Sequence, residues 1–77
     1  MRVQVFAPPF CDHSVLDEGG ELTLPEGATL GMALKRLKVP PLAGRLLITK
    51  VNYDRAPRSR KLKDGDVVSL LWPISGG

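Results

Sequence analysis

The sequence predicts an α+β domain in which one helix packs on one face of a four-stranded mixed sheet. Three observations lead there. "RVQVFA" near the start and "VVSLLWPI" near the end alternate with a period of two, as half-buried strands do. Leu30, Ala33, Leu34 and Leu37 fall at i, i+3, i+4 and i+7, a single apolar helical stripe. Proline and glycine punctuation divides the chain into the order strand, strand, helix, strand, strand. One helix with one apolar stripe covers one sheet face.

The first strand carries Val3 and Val5 on one side and Arg2, Gln4 and Phe6 on the other, and Pro8-Pro9 stop it. Residues 9–20 read as a loop closed by Gly19-Gly20. "ELTLPEG" is a second strand with Leu22 and Leu24 inward, expected antiparallel to the first because a short connection joins them. Thr29 is placed to cap the helix with its hydroxyl. Lys35, Arg36 and Lys38 gather at its end, where the dipole favours cations, and Pro40-Pro41 closes it. Gly31 weakens the helix against Ala. "LLITKVN" is a third strand ending in a turn at Asn52. A charged connection then runs from Arg55 to Lys63, and Asp64-Gly65 suits a turn with positive φ. In the last strand Val68 and Leu70 point inward, and Val67, Ser69 and Leu71 outward. Its length and apolarity place it centrally, beside the first strand, until Pro73 ends it.

Seventy-seven residues make one small domain, residues 1–77, with a modest core. Such a domain has little room for a complete catalytic constellation, which favours a carrier, adaptor or subunit over a self-sufficient enzyme. No apolar run reaches spanning length, and "MRVQVFAPPF" lacks the pattern of a signal peptide. A cytoplasmic location is expected, consistent with the single cysteine, Cys11. The net charge of +3, weighted toward the later half, suggests an acidic partner surface or a polyanion.

The tail "LWPISGG" has two readings. It is a frayed end, or its carboxylate is the reactive group. Glycine lacks Cβ, so an extended Gly76-Gly77 fits a channel too narrow for other residues. It also presents an unhindered carboxylate on a flexible arm, about residues 73–77, which adenylation by ATP would turn into an acyl donor.

The stretches "ELTLPEGATLGMALKRL", "VN" and "LKDGDVVSLLWPISGG" resemble the MoaD/ThiS family of ubiquitin-like sulfur carriers. The Pro-Ile-Ser-Gly-Gly ending is the most specific motif, and it resembles the MoaD branch, the small subunit of molybdopterin synthase. Residues 9–20 and 53–61 match least. The resemblance implies a β-grasp, ubiquitin-like fold with four to five strands. It implies that a ubiquitin-activating-type enzyme adenylates Gly77 with ATP and that a sulfur donor converts it to a thiocarboxylate. The tail would then enter a large molybdopterin synthase subunit to build the dithiolene that holds molybdenum or tungsten. On this reading the chain is not an enzyme alone and binds no cofactor itself. Gly77 carries sulfur, while Gly76 and Ser75 thread the tail. A carrier for thiamin synthesis and a ubiquitin-like protein modifier are alternatives within the family.

Leu71, Trp72 and Ile74 are candidate docking residues, with the alternative that Trp72 folds back over the sheet edge. "RAPRSRKLK" supplies Arg55, Arg58, Arg60, Lys61 and Lys63 as a candidate phosphate-binding patch. The run "VNYDRAPRSRKLKDGDVVSL" locally resembles the C-terminal part of an S4-type RNA-binding domain, but the preceding helical hairpin of that fold is missing and the glycine tail goes unexplained. A solvated loop facing an acidic partner, through Arg58 and Arg60, is preferred to nucleic acid. Cys11-Asp12-His13 holds too few ligands for a structural zinc site and reads as an ordinary loop, and no metal is expected. Asp64 and Asp66 read as turn residues.

Overall fold

The structure is a computed structural model, and it describes residues 1–9, 11–40, 42 and 46–71. Five strands form one sheet in the order β2-β1-β5-β3-β4. They are β1 (Arg2–Phe6), β2 (Glu21–Thr23), β3 (Ile48–Val51), β4 (Asp54–Arg55) and β5 (Val67–Leu71). The helix α1 covers Leu30–Arg36 between β2 and β3. β1 pairs antiparallel with β2 and parallel with β5, and β5 pairs antiparallel with β3. β5 is therefore central and lies beside β1, as its apolar sequence predicts.

The inward alternation holds in every long element. Val3, Val5, Leu22, Leu24, Val51, Val68 and Leu70 meet the helix stripe Leu30, Ala33, Leu34 and Leu37 in one core. Thr29 caps the helix, its Oγ1 accepting from the Met32 N–H at 3.4 Å. The helix stops before the prolines predicted to end it. Lys38 takes a left-handed conformation (φ 53°), and its N–H bonds the Lys35 carbonyl while the Val39 N–H bonds the Leu34 carbonyl. This is the paired bonding of a Schellman cap, usually built on glycine.

Three other features depart from the sequence expectation. The presumed connection after Asn52 begins with a strand. Asn52 and Tyr53 both have positive φ (52° and 70°) and join β3 to β4 as a two-residue hairpin. The presumed plain loop 9–20 contains a short 3₁₀ turn, His13–Val15, and places Cys11 in the core. Ser69, on the outward side of β5, is nonetheless buried. Pairing sets it between Phe6 of β1 and Lys50 of β3, two larger neighbours in one row.

Gly31 has a packing reason. The Arg58 carbonyl accepts its N–H at 2.9 Å, and a Cβ there would stand 3.3 Å from that oxygen. The neighbouring Leu30 N–H donates to the Arg60 carbonyl at 2.8 Å. The segment after β4 thus closes the start of the helix.

Candidate functional site

The face of the sheet away from the helix divides into two halves. At one end Arg2 and Gln4 of β1 stand beside β2. The Arg2 guanidinium contacts Asp17 and lies 3.3 Å from Glu21. The hydrogen bond that Arg2 donates to Asp17, followed by the charges of Glu21 and Asp17, raises the pKa of Arg2 further. The Asp17 carboxyl falls below its usual range because the Glu21 N–H donates to it, aided by Arg2 and the Gly19 N–H. This half satisfies its own charges.

The other half lies at the Leu71 end of β5. Register places Phe6, Ser69, Lys50 and Arg55 in one row across β1, β5, β3 and β4. Leu71 faces Ile48 in the next row. Phe6 is 54% exposed and Leu71 44% exposed, so an apolar area centred on the end of β5 faces solvent. Lys50 and Arg55 border it. The ion pairs among the described residues include neither.

The start of β5 is anchored firmly. Asp66, buried, accepts from the Lys63 N–H (2.8 Å) with one oxygen and from Asn52 Nδ2 (3.0 Å) with the other. Asn52 Oδ1 in turn accepts from the Val67 N–H at 2.9 Å, and the Asn52 N–H donates to the Val67 carbonyl at 2.7 Å. Asp66 is thus more than a turn residue: it ties the β3–β4 hairpin to the strand that leads to the tail.

Sequence-predicted site residues fall in three places. Leu71 is the last described residue and lies in the apolar area. Trp72, Ile74, Ser75, Gly76 and Gly77 lie outside the described residues, as do both readings of the tail and the two fates of Trp72. Arg58 and Arg60 are exposed on a turn closed by the Arg60 N–H to the Pro57 carbonyl. Their carbonyls occupy the Leu30 and Gly31 N–H groups, and Thr29 accepts from Met32 and Ala33. An anion there would meet side chains but no free first-turn amides, which removes the backbone half of a phosphate cradle.

Cys11, Asp12 and His13 do not converge on a ligand. Burial pushes the Cys11 thiol up. Asp12 accepts from the Ser14 hydroxyl and N–H, and both hold its carboxyl below the usual range. His13 Nε2 donates to the Pro8 carbonyl at 2.8 Å.

Sequence reasoning missed Phe6, Ile48, Lys50 and Arg55 as one surface. Alternation already places Phe6 outward, but only strand register shows which residues share its row.

Among the described residues, a mixed five-stranded sheet with β5 at its centre, the helix α1 over one face and an apolar area at the end of β5 define a small β-grasp domain of the ubiquitin-like class. Two solved structures share this fold. The crystal structure of SAMP1 from Haloferax volcanii is 21% identical with a TM-score of 0.58, covering 99% of this chain and 97% of that one. The crystal structure of H. volcanii small archaeal modifier protein 1 is 21% identical with a TM-score of 0.60, covering 95% of each chain. No curated protein matches the sequence. A model of the ThiS family matches residues 3–77. The chain belongs to the ThiS family, which comprises small ubiquitin-like sulfur carriers and modifiers that work with ubiquitin-activating-type enzymes. Among the described residues, no helix is long and apolar enough to cross a membrane.

Proposed function

We propose that this protein is a sulfur carrier whose Gly77 carboxylate is adenylated and then thiocarboxylated, and that it serves as the small subunit of a molybdopterin synthase. The observation that carries the reading is the family match, which runs from residue 3 through Gly77 and so includes the whole tail. Two features support it. The central strand β5 ends, at its last described residue, in an exposed apolar area at Leu71. The MoaD-like ending "PISGG" follows at once.

The chemistry balances simply. A Gly77 carboxylate oxygen attacks the α-phosphorus of ATP, forming an acyl adenylate and releasing pyrophosphate. A sulfide-level nucleophile attacks the acyl carbon and AMP leaves with the original oxygen. One sulfur then replaces one oxygen, and the proton of the nucleophile passes to solvent. The activating enzyme supplies the ATP site and the catalytic groups, while this chain supplies the docking face and the substrate carboxylate. In the large synthase subunit the thiocarboxylate gives its sulfur to a pterin precursor. Its partners are thus the adenylating enzyme, a sulfur donor and the large subunit, in a cytoplasmic setting.

A second reading is favoured by the name of one structural neighbour, a small archaeal modifier protein. There the same adenylate is attacked by a lysine amine, giving an isopeptide. Intact mass separates the two. Incubation with the adenylating enzyme, ATP and a sulfur source should raise the mass by one sulfur-for-oxygen exchange, and removal of Gly77 should abolish the rise. A rise that survives the removal overturns the carrier reading. Isopeptide adducts without the exchange favour the modifier.

A further inference from the structure

The hairpin β3–β4 accumulates costs that a free domain would avoid. Its two turn residues, Asn52 and Tyr53, both sit at positive φ, and the second is an aromatic where such turns ordinarily use glycine. Tyr53 gains no burial from this: it is 70% exposed. Across the hairpin Lys50 stands directly opposite Arg55, and like charges so placed repel. Asp17 and Glu21 are engaged by Arg2 at the far edge of this face, and Asp54, exposed in the hairpin itself, stands opposite buried Val51 on the other side. The hairpin is also continuous with the area around Leu71: Lys50 shares a row with Phe6 and Ser69, and Ile48 faces Leu71.

From this juxtaposition we propose that the β3–β4 hairpin, Ile48–Arg55, is the recognition element for the protein that activates the tail, presenting Tyr53, Lys50 and Arg55 to a surface that carries carboxylates beside an apolar hollow. The inference rests on the carrier reading and adds where selectivity lies and which charge the partner bears. Tyrosine and arginine are the residue types that concentrate binding energy at interfaces. Opposed cations are relieved when a carboxylate enters between them, so their repulsion becomes attraction only in the complex. The row favours a protein over a nucleic acid, because the same surface offers Phe6, Ile48 and Leu71, which a phosphate backbone leaves unused.

The test is steady-state ATP–pyrophosphate exchange with the purified ubiquitin-activating-type enzyme from the same cells and the full-length chain as substrate. The variants are Lys50→Gln with Arg55→Gln together, Tyr53→Gly, and the charge-keeping Lys50→Arg. For the double variant, KM should rise by roughly tenfold with kcat unchanged, since each exposed pair is worth up to about fivefold. The wild-type KM should climb with salt and that of the double variant much less. Lys50→Arg should restore most of the wild-type KM. Tyr53→Gly should raise KM while raising Tm by roughly 4 °C, a trade that a purely structural role would not produce.

An unchanged KM in the double variant overturns the proposal. If that variant also self-associates on size exclusion, the cations guard the exposed β4 edge. Salt-dependent binding of polyuridylate that needs Lys50 and Arg55, with KM unchanged, assigns the hairpin to nucleic acid and overturns it equally. If the wild-type chain supports no exchange at all, the carrier reading fails first and the inference falls with it.

Discussion

Replacing Asp66 with alanine should cost far more than a turn residue would. The carboxylate accepts the Lys63 N–H at 2.8 Å and Asn52 Nδ2 at 3.0 Å from a buried position. A hydrogen bond to a charged group contributes about 1.5–3 kcal/mol, but Asn52 is exposed and its amide regains water when released. The Lys63 bond therefore dominates, and the expected loss is about 2–3 kcal/mol. For a domain of this size that lowers Tm by roughly 10–20 °C. Stability of small domains starts near 5 kcal/mol, so the variant should remain mostly folded at 25 °C, as an about 2 kcal/mol residue of stability allows. Urea unfolding followed by circular dichroism measures this, with the m-value unchanged. Asn52→Ala and the double variant complete a cycle, and the two losses should be less than additive because the residues share one network. A loss under about 0.5 kcal/mol for Asp66→Ala, the range of an ordinary surface substitution, would refute the anchoring argument.

Other outcomes follow from the same geometry. Lys38→Gly relieves a left-handed backbone and should stabilise the protein by about 1 kcal/mol in the same assay, because the ion pair it forfeits with half-buried Asp12 is long, at 3.8 Å, and its Lys38 end is exposed. Leu34→Ala, in the core beneath the sheet, should cost about 2–5 kcal/mol and leave a marginal fold by thermal scan. Cys11 should react with iodoacetamide far more slowly in the folded protein than in urea, since it is buried and its thiol is held protonated. Because folding raises that thiol pKa, its contribution is fully present below the unfolded value, about 8.5, and is lost as pH rises through the folded one. The Asp12 and Asp17 carboxyls run the other way. Their folded pKa values are depressed, so their contribution is present above about pH 4 and is lost as pH falls through the folded values. Both limbs are read from denaturation midpoints across pH.

Much of this fold is legible in the sequence because period fixes face. Val3, Val5, Leu22, Leu24, Val68 and Leu70 alternate inward and the helix stripe meets them, so the core follows from spacing, and the order of the longer elements from spacing with the proline and glycine punctuation. Strand β4 was not legible for a chemical reason: its turn is Asn-Tyr, whereas the recognisable hairpin signal is Asn-Gly, and only two residues pair beyond it. The true helix end was masked likewise, since the left-handed cap is Lys38 and the visible prolines come later. Burial of Ser69 depends on neighbours from two other strands, which no local window contains. The same holds for the candidate site. Leu71 could be picked from the tail motif, but its companions Phe6 and Ile48 and the cations Lys50 and Arg55 come together only through register. Gly31, read from sequence as a weakness of the helix, is the position that lets the Arg58 carbonyl approach.

Sulfur loading changes one atom at Gly77, and tandem mass spectrometry of the C-terminal peptide reads that atom. After loading, sulfur should replace oxygen in the terminal carboxyl of Gly77, and the peptide bearing Cys11 should be unchanged. Sulfur found instead as a persulfide on Cys11, with the Gly77 carboxylate intact, would contradict the carrier reading.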